Sequence, residues 1–316
     1  MLTIDYESEG FPLGAPVTNG RSSLNTDWDE LLRAALTVGR PSRHHVFQHG
    51  LASTYEALFR LSLVRMAVEQ SGPTARRLRR TAAARSLDPS EKGAVNYFLG
   101  MAMCKLFSSS LLDAPWMLHL DVFRPLLNPV LNGRSRPDLI GQTRSGDWLA
   151  FESKGRVSPP GADAKTKAKA QSQRCVSVNG VPVTFQIGGI MYFRKDVLQF
   201  FWRDPPPNEP ENAIPITVQN DTWRHYYGAT FEIIRGDADG FAQMLQQPFL
   251  LPIAAADVQI GIYPDVLQLL AKELWGEAKE WCVRNFADLE QQGYRADGIR
   301  VIAGSSWLSP LLEVPR

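Results

Sequence analysis

The chain has 316 residues, of which 44% are hydrophobic and 21% are charged. This length allows one large domain or two modest ones, and the composition excludes wholesale disorder and low-complexity fibres. The 34 Lys and Arg residues nearly balance the 33 Asp and Glu residues, leaving a net charge of +1. Any anionic partner must therefore be held by a local patch and not by the field of the whole molecule.

The cysteines and the apolar runs indicate the cellular setting. Cys104, Cys175 and Cys282 lie far apart and form no CxxC pair, which favours a reducing compartment. The N-terminal segment is acidic where a signal peptide is basic, and the apolar runs are shorter than the ~20 residues that cross a bilayer. We therefore expect a cytoplasmic protein with no membrane partner.

The first 89 residues predict an N-terminal arm and a helical region. Residues 1–26 are rich in Gly, Pro, Ser and Asn, which is typical of an irregular arm. Helical spacing of apolar residues follows at 27–38 and at 46–70.

The middle segment, residues 90–205, predicts an α/β domain. It opens with a helix capped by Ser90 that runs to about Leu112. Short apolar runs broken by turns then predict three strands, followed by a helix at about 165–176 and two more strands. This order predicts a mixed sheet flanked by helices.

The last segment, residues 206–316, predicts a mixed α+β region. The proline-rich stretch 205–210 is typical of a linker, because proline cannot donate to a strand ladder. Strands are expected at 214–219 and 229–235, followed by one long helix from Pro264 to about Gln292.

Two carboxylates and a lysine interrupt the apolar strands of the middle segment. The turn 144–146 predicts a three-residue hairpin loop with Gly146 in the left-handed conformation, which pairs Thr143 with Asp147. Counting back along this register places Asp138 directly opposite Glu152.

Directly paired residues of an antiparallel ladder project from the same face, about 5 Å apart. Because side chains alternate along a strand, Lys154 shares the face of Glu152. The sequence therefore predicts that Asp138, Glu152 and Lys154 converge.

A metal site follows from this convergence. Two carboxylates so close repel each other unless a cation lies between them, and hard oxygen ligands suit Mg²⁺. Such an ion can activate water and neutralise charge on a phosphodiester, while Lys154 orients the water or offsets developing negative charge. The alternative interpretation is a surface hairpin with an exposed salt bridge of little energetic worth.

These residues resemble the PD-(D/E)xK nuclease superfamily, which has the restriction-endonuclease-like fold, and the resemblance covers about residues 90 to 205. In that superfamily one hairpin carries Pro-Asp and Glu-x-Lys, with a helix before it and another after it. The resemblance implies that Asp138, Glu152 and the Ser153 carbonyl are metal ligands and that Lys154 is the catalytic lysine. It also implies Mg²⁺ as the cofactor, with Mn²⁺ as a substitute.

Further site residues are implied by the same resemblance. Members often add an acid from the preceding helix, for which Glu91 is the candidate, although a first-turn acid also suits the helix dipole. Some members carry a glutamine in the following helix. Cations beside the hairpin could grip phosphates, or they could belong to a solvated helix face. The candidate nucleic-acid contacts are Arg134, Arg136, Arg156, Lys165, Lys167, Lys169, Gln171 and Gln173.

The sequence thus predicts a Mg²⁺-dependent deoxyribonuclease, either endonuclease or exonuclease. Antiviral defence in bacteria, or the processing of mobile elements, would suit it by analogy with the superfamily. The alternatives are a non-catalytic nucleic-acid-binding or assembly protein that retains the fold, and an effector toxin with a nuclease domain. No phosphate-binding Gly-rich loop occurs, so any ATP-driven step requires a partner ATPase. A homodimer is left open.

Overall fold

The computed structural model describes residues 1–39, 51–70, 74–123, 136–204 and 214–311. The helices are α1 Trp28–Thr37, α2 Leu51–Ala67, α3 Ala82–Ser86, α4 Pro89–Leu111, α5 Ala162–Ser172, α6 Arg224–Arg235, α7 Ala238–Met244, α8 Pro264–Ala271, α9 Trp275–Arg284 and α10 Phe286–Gln291. The strands are β1 Leu2–Glu9, β2 Gly20–Thr26, β3 Val68–Gln70, β4 Leu78–Arg80, β5 Trp116–His119, β6 Leu139–Gln142, β7 Trp148–Gly155, β8 Cys175–Val178, β9 Val181–Pro182, β10 Phe185–Arg194, β11 Val197–Arg203, β12 Ile214–Ile216, β13 Leu251–Ile253, β14 Val258–Ile262 and β15 Ile299–Ala303.

One large mixed sheet organises the fold. Its main path runs β2-β1-β11-β10-β7-β6-β5, and the short pair β3 and β4 joins it at β11. β1 lies parallel to β11 and β10 lies parallel to β7, whereas the other pairs are antiparallel. Two three-stranded sheets complete the described part, with orders β12-β8-β9 and β13-β14-β15. The predicted α/β class, a mixed sheet flanked by helices, is confirmed.

The helices α4 and α5 cover opposite faces of this sheet. A Cβ added at Gly189 of β10 would lie 2.7 Å from Cys104 Sγ of α4. A Cβ added at Gly188 would lie 2.7 Å from the backbone nitrogen of Lys169 in α5. Since neighbouring residues of a strand point to opposite faces, the two glycines let one helix approach from each side.

The start of α4 differs slightly from the prediction. Asp88, and not Ser90, caps the helix, because its carboxylate accepts hydrogen bonds from the backbone N–H groups of Ser90 and Glu91. Pro89 occupies the first helical position, where the missing N–H costs nothing.

The prediction of an irregular N-terminal arm is wrong. Residues 2–9 and 20–26 form β1 and β2, and β1 is an inner strand of the large sheet. Leu2 and Ile4 are buried and alternate with more exposed residues, so the segment has the two-residue period of a half-covered strand. Its acidic residues, Asp5, Glu7 and Glu9, hide that period.

Two predictions for the C-terminal region are also wrong. Residues 229–235 belong to α6, where buried Tyr227, Phe231 and Ile234 follow helical spacing despite their β-branched and aromatic character. The long helix after Pro264 is three helices. Glu273, with a left-handed φ of 60°, separates the first two, and Asn285, with φ −110° and ψ 27°, separates the second from the third. The strand expected at 214–219 is confirmed only for Ile214–Ile216.

Two further expectations concern the linker and the membrane. The proline-rich stretch 205–210 lies outside the described residues. Within the described residues, every helix is too short or too polar to span a bilayer.

Candidate active site

The hairpin of β6 and β7 has the predicted register. Leu139 lies opposite Phe151 and Gln142 lies opposite Trp148. The Thr143 N–H donates to the Asp147 carbonyl over 2.9 Å, and Gly146 has φ 98°. The three-residue loop is therefore confirmed, and Asp138, directly before β6, falls opposite Glu152 in the same register.

The three predicted polar side chains are brought together. The Asp138 carboxylate accepts a 2.9 Å hydrogen bond from the backbone N–H of Ser153, the neighbour of Glu152. Lys154 Nζ donates to Glu152 Oε1. The side chain of Glu152 is only 1% exposed, whereas that of Lys154 is 41% exposed. The buried acid is therefore shielded from solvent, whereas the lysine paired with it reaches the surface at one end of the hairpin.

Burial disfavours the ionised form of both carboxyl groups. Burial raises the pKa of Glu152 to about 8, and the nearby Asp138 charge acts in the same direction, while Lys154 opposes both. Burial also raises the pKa of Asp138, against the Ser153 N–H, Lys154 and Arg136. Without a cation, the pair therefore holds less than two negative charges near neutral pH.

These features fit a hard divalent cation. Glu152 Oε2 is a buried oxygen that receives no hydrogen bond from a donor among the described residues, and the carboxyl group of Asp138 lies within hydrogen-bond range of Glu152. A cation between the carboxylates would satisfy this oxygen and remove their repulsion. No cluster of three or more His, Cys, Asp or Glu side chains suited to a metal occurs in the described part of the chain. Mg²⁺ commonly binds a protein through one or two carboxylates and keeps several waters, and Asp138 with Glu152 offers two carboxylates.

The helix α4 lies directly against β7 beside these residues. A Cβ added at Gly155 would lie 1.7 Å from the carbonyl oxygen of Asn96, and one added at Gly100 would lie 2.9 Å from that of Lys154. Two glycines, one on each element, therefore permit backbone contact. The turn of α4 between Asn96 and Gly100 carries Tyr97.

Tyr97 and His119 were missed by sequence reasoning. Tyr97 Oη lies 3.2 Å from His119 Nε2, and His119 Nδ1 accepts a hydrogen bond from the Asp121 N–H. Burial lowers the pKa of His119 to about 3, so the neutral ring carries its proton on Nε2 and donates it to Tyr97. A histidine inside the apolar strand Trp116–His119 was the signal that could have found this pair.

Tyr97 remains a proton donor. Burial raises its pKa to about 12, and the charges of Asp138 and Glu152 add to this shift. Because its oxygen accepts from His119, its own O–H is left to donate to another group.

Glu91 is a first-turn acid of α4, which is the predicted alternative to a metal ligand. It is exposed in the first turn of α4, where its carboxylate accepts a 3.2 Å hydrogen bond from the Asp88 N–H. The helix contacts β7 at Asn96 and Gly100, more than one turn further along. The Glu91 carboxylate is therefore a helix cap, and its role as a metal ligand stays a prediction.

The predicted phosphate contact is wrong for Lys169. This residue is 4% exposed, and its Nζ donates to Asp204 over 2.7 Å and to the Gln186 carbonyl. Lys165 is paired with Glu9 at 2.9 Å. Lys167, on the same helix, is exposed. A lysine at every second position of a helix cannot present all its charges on one face, since residues two apart diverge.

The remaining candidates differ in their accessibility. Arg136 is half-buried and forms an ion pair with Asp121, whereas Arg156 is exposed just after β7. Gln171 and Gln173 are half-buried near the end of α5, where the Gln173 carbonyl accepts a hydrogen bond from Gln186. Arg134 lies outside the described residues.

Comparison of this chain with protein-family models, curated proteins and solved structures found no match. The hairpin itself has a distinctive chemistry. That chemistry is a pair of carboxylates with raised pKa values, a carboxylate oxygen that receives no hydrogen bond from the described donors and a lysine within hydrogen-bond reach.

Proposed function

We propose that this protein is a metal-dependent nuclease of the PD-(D/E)xK type that hydrolyses DNA phosphodiester bonds. The observation that carries the proposal is the buried Glu152, whose Oε2 receives no hydrogen bond from a donor among the described residues and which faces Asp138 in the hairpin register. A buried carboxylate pair with little compensating charge destabilises the folded state unless a ligand binds to it. A purely structural role therefore does not account for this pair. The large mixed sheet with helices on both faces supports the restriction-endonuclease-like architecture.

Each residue of the hairpin then has a role. Asp138 and Glu152, with the Ser153 carbonyl, would hold Mg²⁺, which supplies an activated water and neutralises charge on the phosphate. The Ser153 N–H fixes the orientation of the Asp138 carboxylate. The ammonium group of Lys154 stabilises the negative charge that develops on the phosphate during attack.

Positive side chains near the hairpin would hold the DNA backbone. Arg156 and Lys167 are exposed, and Arg136 lies beside Asp138 although it is paired with Asp121. Such contacts position a strand without reading its sequence. Their small number agrees with a chain of nearly zero net charge.

The test is incubation of the purified protein with linear, circular and single-stranded DNA, with Mg²⁺, Mn²⁺ or EDTA. We expect cleavage with either metal and none with EDTA, and cleavage of the circular substrates would identify an endonuclease. DNA binding without cleavage under every condition would contradict the proposal and favour a non-catalytic DNA-binding protein.

A further inference from the structure

The three most exposed aromatic side chains in the described part of the chain all lie on α2 and α4. Tyr55 is 66% exposed, Phe59 is 53% exposed and Tyr97 is 37% exposed. Phe98 joins two of them, with its ring centroid 5.6 Å from that of Phe59 and 5.5 Å from that of Tyr97. Tyr55 lies one helical turn before Phe59. We call Tyr55, Phe59, Phe98 and Tyr97 the aromatic row.

Neighbouring side chains hold the rings of the aromatic row in fixed positions. The guanidinium group of Arg60 lies 5.7 Å from the centre of the Phe98 ring. Arg60 is itself fixed by Glu56 at 2.6 Å and by the Val38 carbonyl at 3.2 Å. At the other end of the row, His119 fixes the Tyr97 hydroxyl. Rings held in this way lose little freedom when a ligand packs on them.

The aromatic row ends at the candidate active site. Tyr97 lies in the turn of α4 between Asn96 and Gly100. Asn96 packs against Gly155 of β7, and Gly100 packs against the backbone of Lys154. At this end of β7, Lys154 is half-exposed and Arg156 is exposed. Lys154 projects from the face of the sheet opposite to α4, because its neighbour Gly155 faces that helix. The Tyr97 hydroxyl contacts His119, and His119 pairs with Leu139, the residue after Asp138. The aromatic row therefore reaches the end of the hairpin that carries the carboxylates.

We infer that the site takes a nucleic-acid strand whose bases are unpaired next to the scissile phosphate, and that these bases stack on the aromatic row, with Tyr97 nearest the cleaved bond. This inference rests on the proposed nuclease function and narrows its substrate class. In a duplex the base faces are already stacked on each other, so exposed rings have no partner there. Unpaired bases present free faces, and stacking on aromatic side chains is the usual mode of single-strand binding.

The experiment compares a single-stranded oligonucleotide with a blunt duplex of the same sequence, using the full chain. Dissociation constants are measured with Ca²⁺ and cleavage with Mg²⁺, for wild type, Tyr97→Leu and Phe59→Leu. We expect each variant to weaken single-strand binding by about fivefold to a hundredfold while duplex binding changes little. Phe59 is more than half exposed, so Phe59→Leu tests the row even if Tyr97→Leu disturbs folding.

Two comparisons make the result specific. Tyr97→Phe keeps the ring, so it should restore the single-strand preference that Tyr97→Leu loses. Val181→Ala removes an exposed apolar side chain on the small β12-β8-β9 sheet, and it should leave single-strand binding at the wild-type value.

The outcomes separate this inference from the proposed function. Equal weakening of single-strand and duplex binding, or no weakening in either leucine variant, would overturn the stacking role. Loss of a protein dimer in these variants, with single-strand binding intact, would assign the row to a contact between copies and also overturn it. Absence of metal-dependent cleavage by wild type on every substrate would instead contradict the nuclease itself.

Discussion

Ionisation of Glu152 is strongly disfavoured in the candidate site, because the side chain is buried beside a second carboxylate. Lys154 compensates only one of its oxygens, and Oε2 receives no hydrogen bond from a donor in the described part of the chain. Such an arrangement is expected where function, and not stability, selects the residue. The hairpin therefore lowers the stability of the metal-free protein, and binding of a cation raises that stability.

The first prediction concerns removal of these charges. We expect Glu152→Gln, Asp138→Asn and Lys154→Ala each to lower the cleavage rate by about 10² or more, since each removes a ligand or a stabilising charge. The double variant Asp138→Asn with Glu152→Gln should be scarcely slower than either single variant, because the groups act as one unit. Cleavage rates and melting temperatures are measured side by side.

Glu91→Gln provides the matched control on α4. It alters an acid that caps the helix, so we expect full cleavage and a loss of stability of at most about 1 kcal/mol. Wild-type rates in Glu152→Gln would place the active site elsewhere. A hundredfold loss in Glu91→Gln would identify it as a metal ligand.

The second prediction is a pH dependence of the metal-free protein. The Glu152 carboxyl has its usual pKa of 4.5 in the unfolded chain and about 8 in the folded protein. Between these values the folded state binds more protons than the unfolded state, so stability falls as pH rises from about 4.5 to about 8. Denaturant titrations in EDTA should show this fall, and it should shrink in Glu152→Gln. An identical pH profile in that variant would contradict the raised pKa.

At the scale of residues, the sequence predicts those features of the site that residues close together in the chain determine. The loop with Gly146 sets the register, and the register places Asp138 opposite Glu152. The Tyr97 and His119 pair depends instead on how α4 packs across the sheet. That packing depends on long-range contacts that no short motif encodes.

At the scale of elements, the packing of α4 on β7 positions the site. Contact between the two backbones requires Gly100 and Gly155, because a side chain at either position would collide with the other element. Separating the elements would move Lys154 and the Ser153 N–H that orients Asp138. The two glycines therefore affect the site indirectly, because they fix the positions of Lys154 and of the Ser153 N–H.

The third prediction tests this contact. Gly155→Ala forces α4 away from β7, and we expect a loss of stability of about 1–3 kcal/mol or more together with slower cleavage. Gly93→Ala is the matched change on the exposed side of α4, where an added Cβ meets no atom within 4 Å. It should raise stability by about 0.5–1 kcal/mol and leave cleavage unchanged. Thermal melting and rate measurements on both variants distinguish packing from helix propensity. Wild-type stability in Gly155→Ala would show that the contact is looser than described.

The elements that sequence reasoning missed share a physical cause. β1 is rich in acidic residues, and its strand character depends on pairing with β11, which lies almost two hundred residues away. α6 contains residues typical of strands, yet tertiary packing of its buried face decides the helix. Local propensity is a weak guide in both cases, whereas the long apolar run of α4 was predicted to within two residues at each end.

At the scale of the whole molecule, a buried polar network joins all three predicted segments. Arg33 of α1 forms a 2.7 Å ion pair with Asp297, which precedes β15. The Tyr226 hydroxyl of α6 lies 2.5 Å from the same Asp297 carboxylate, and Lys105 Nζ of α4 lies 3.1 Å from that hydroxyl. The network crosses both predicted boundaries, so we expect the segments to fold together.

The fourth prediction tests this coupling through Asp297. Asp297→Asn leaves Arg33 buried without its closest counter-charge, and breaking such a pair costs about 3–5 kcal/mol. The loss should appear as one cooperative transition at lower denaturant, with the same midpoint by tryptophan fluorescence and by circular dichroism. Arg295→Ala is the control, because its ion pair with Glu30 is half-exposed and worth at most about 1 kcal/mol. Two separate transitions in Asp297→Asn would mean that the C-terminal segment unfolds on its own. Cleavage at temperatures where the variant is folded should match wild type, since Asp297 supports the scaffold and contacts none of the hairpin carboxylates.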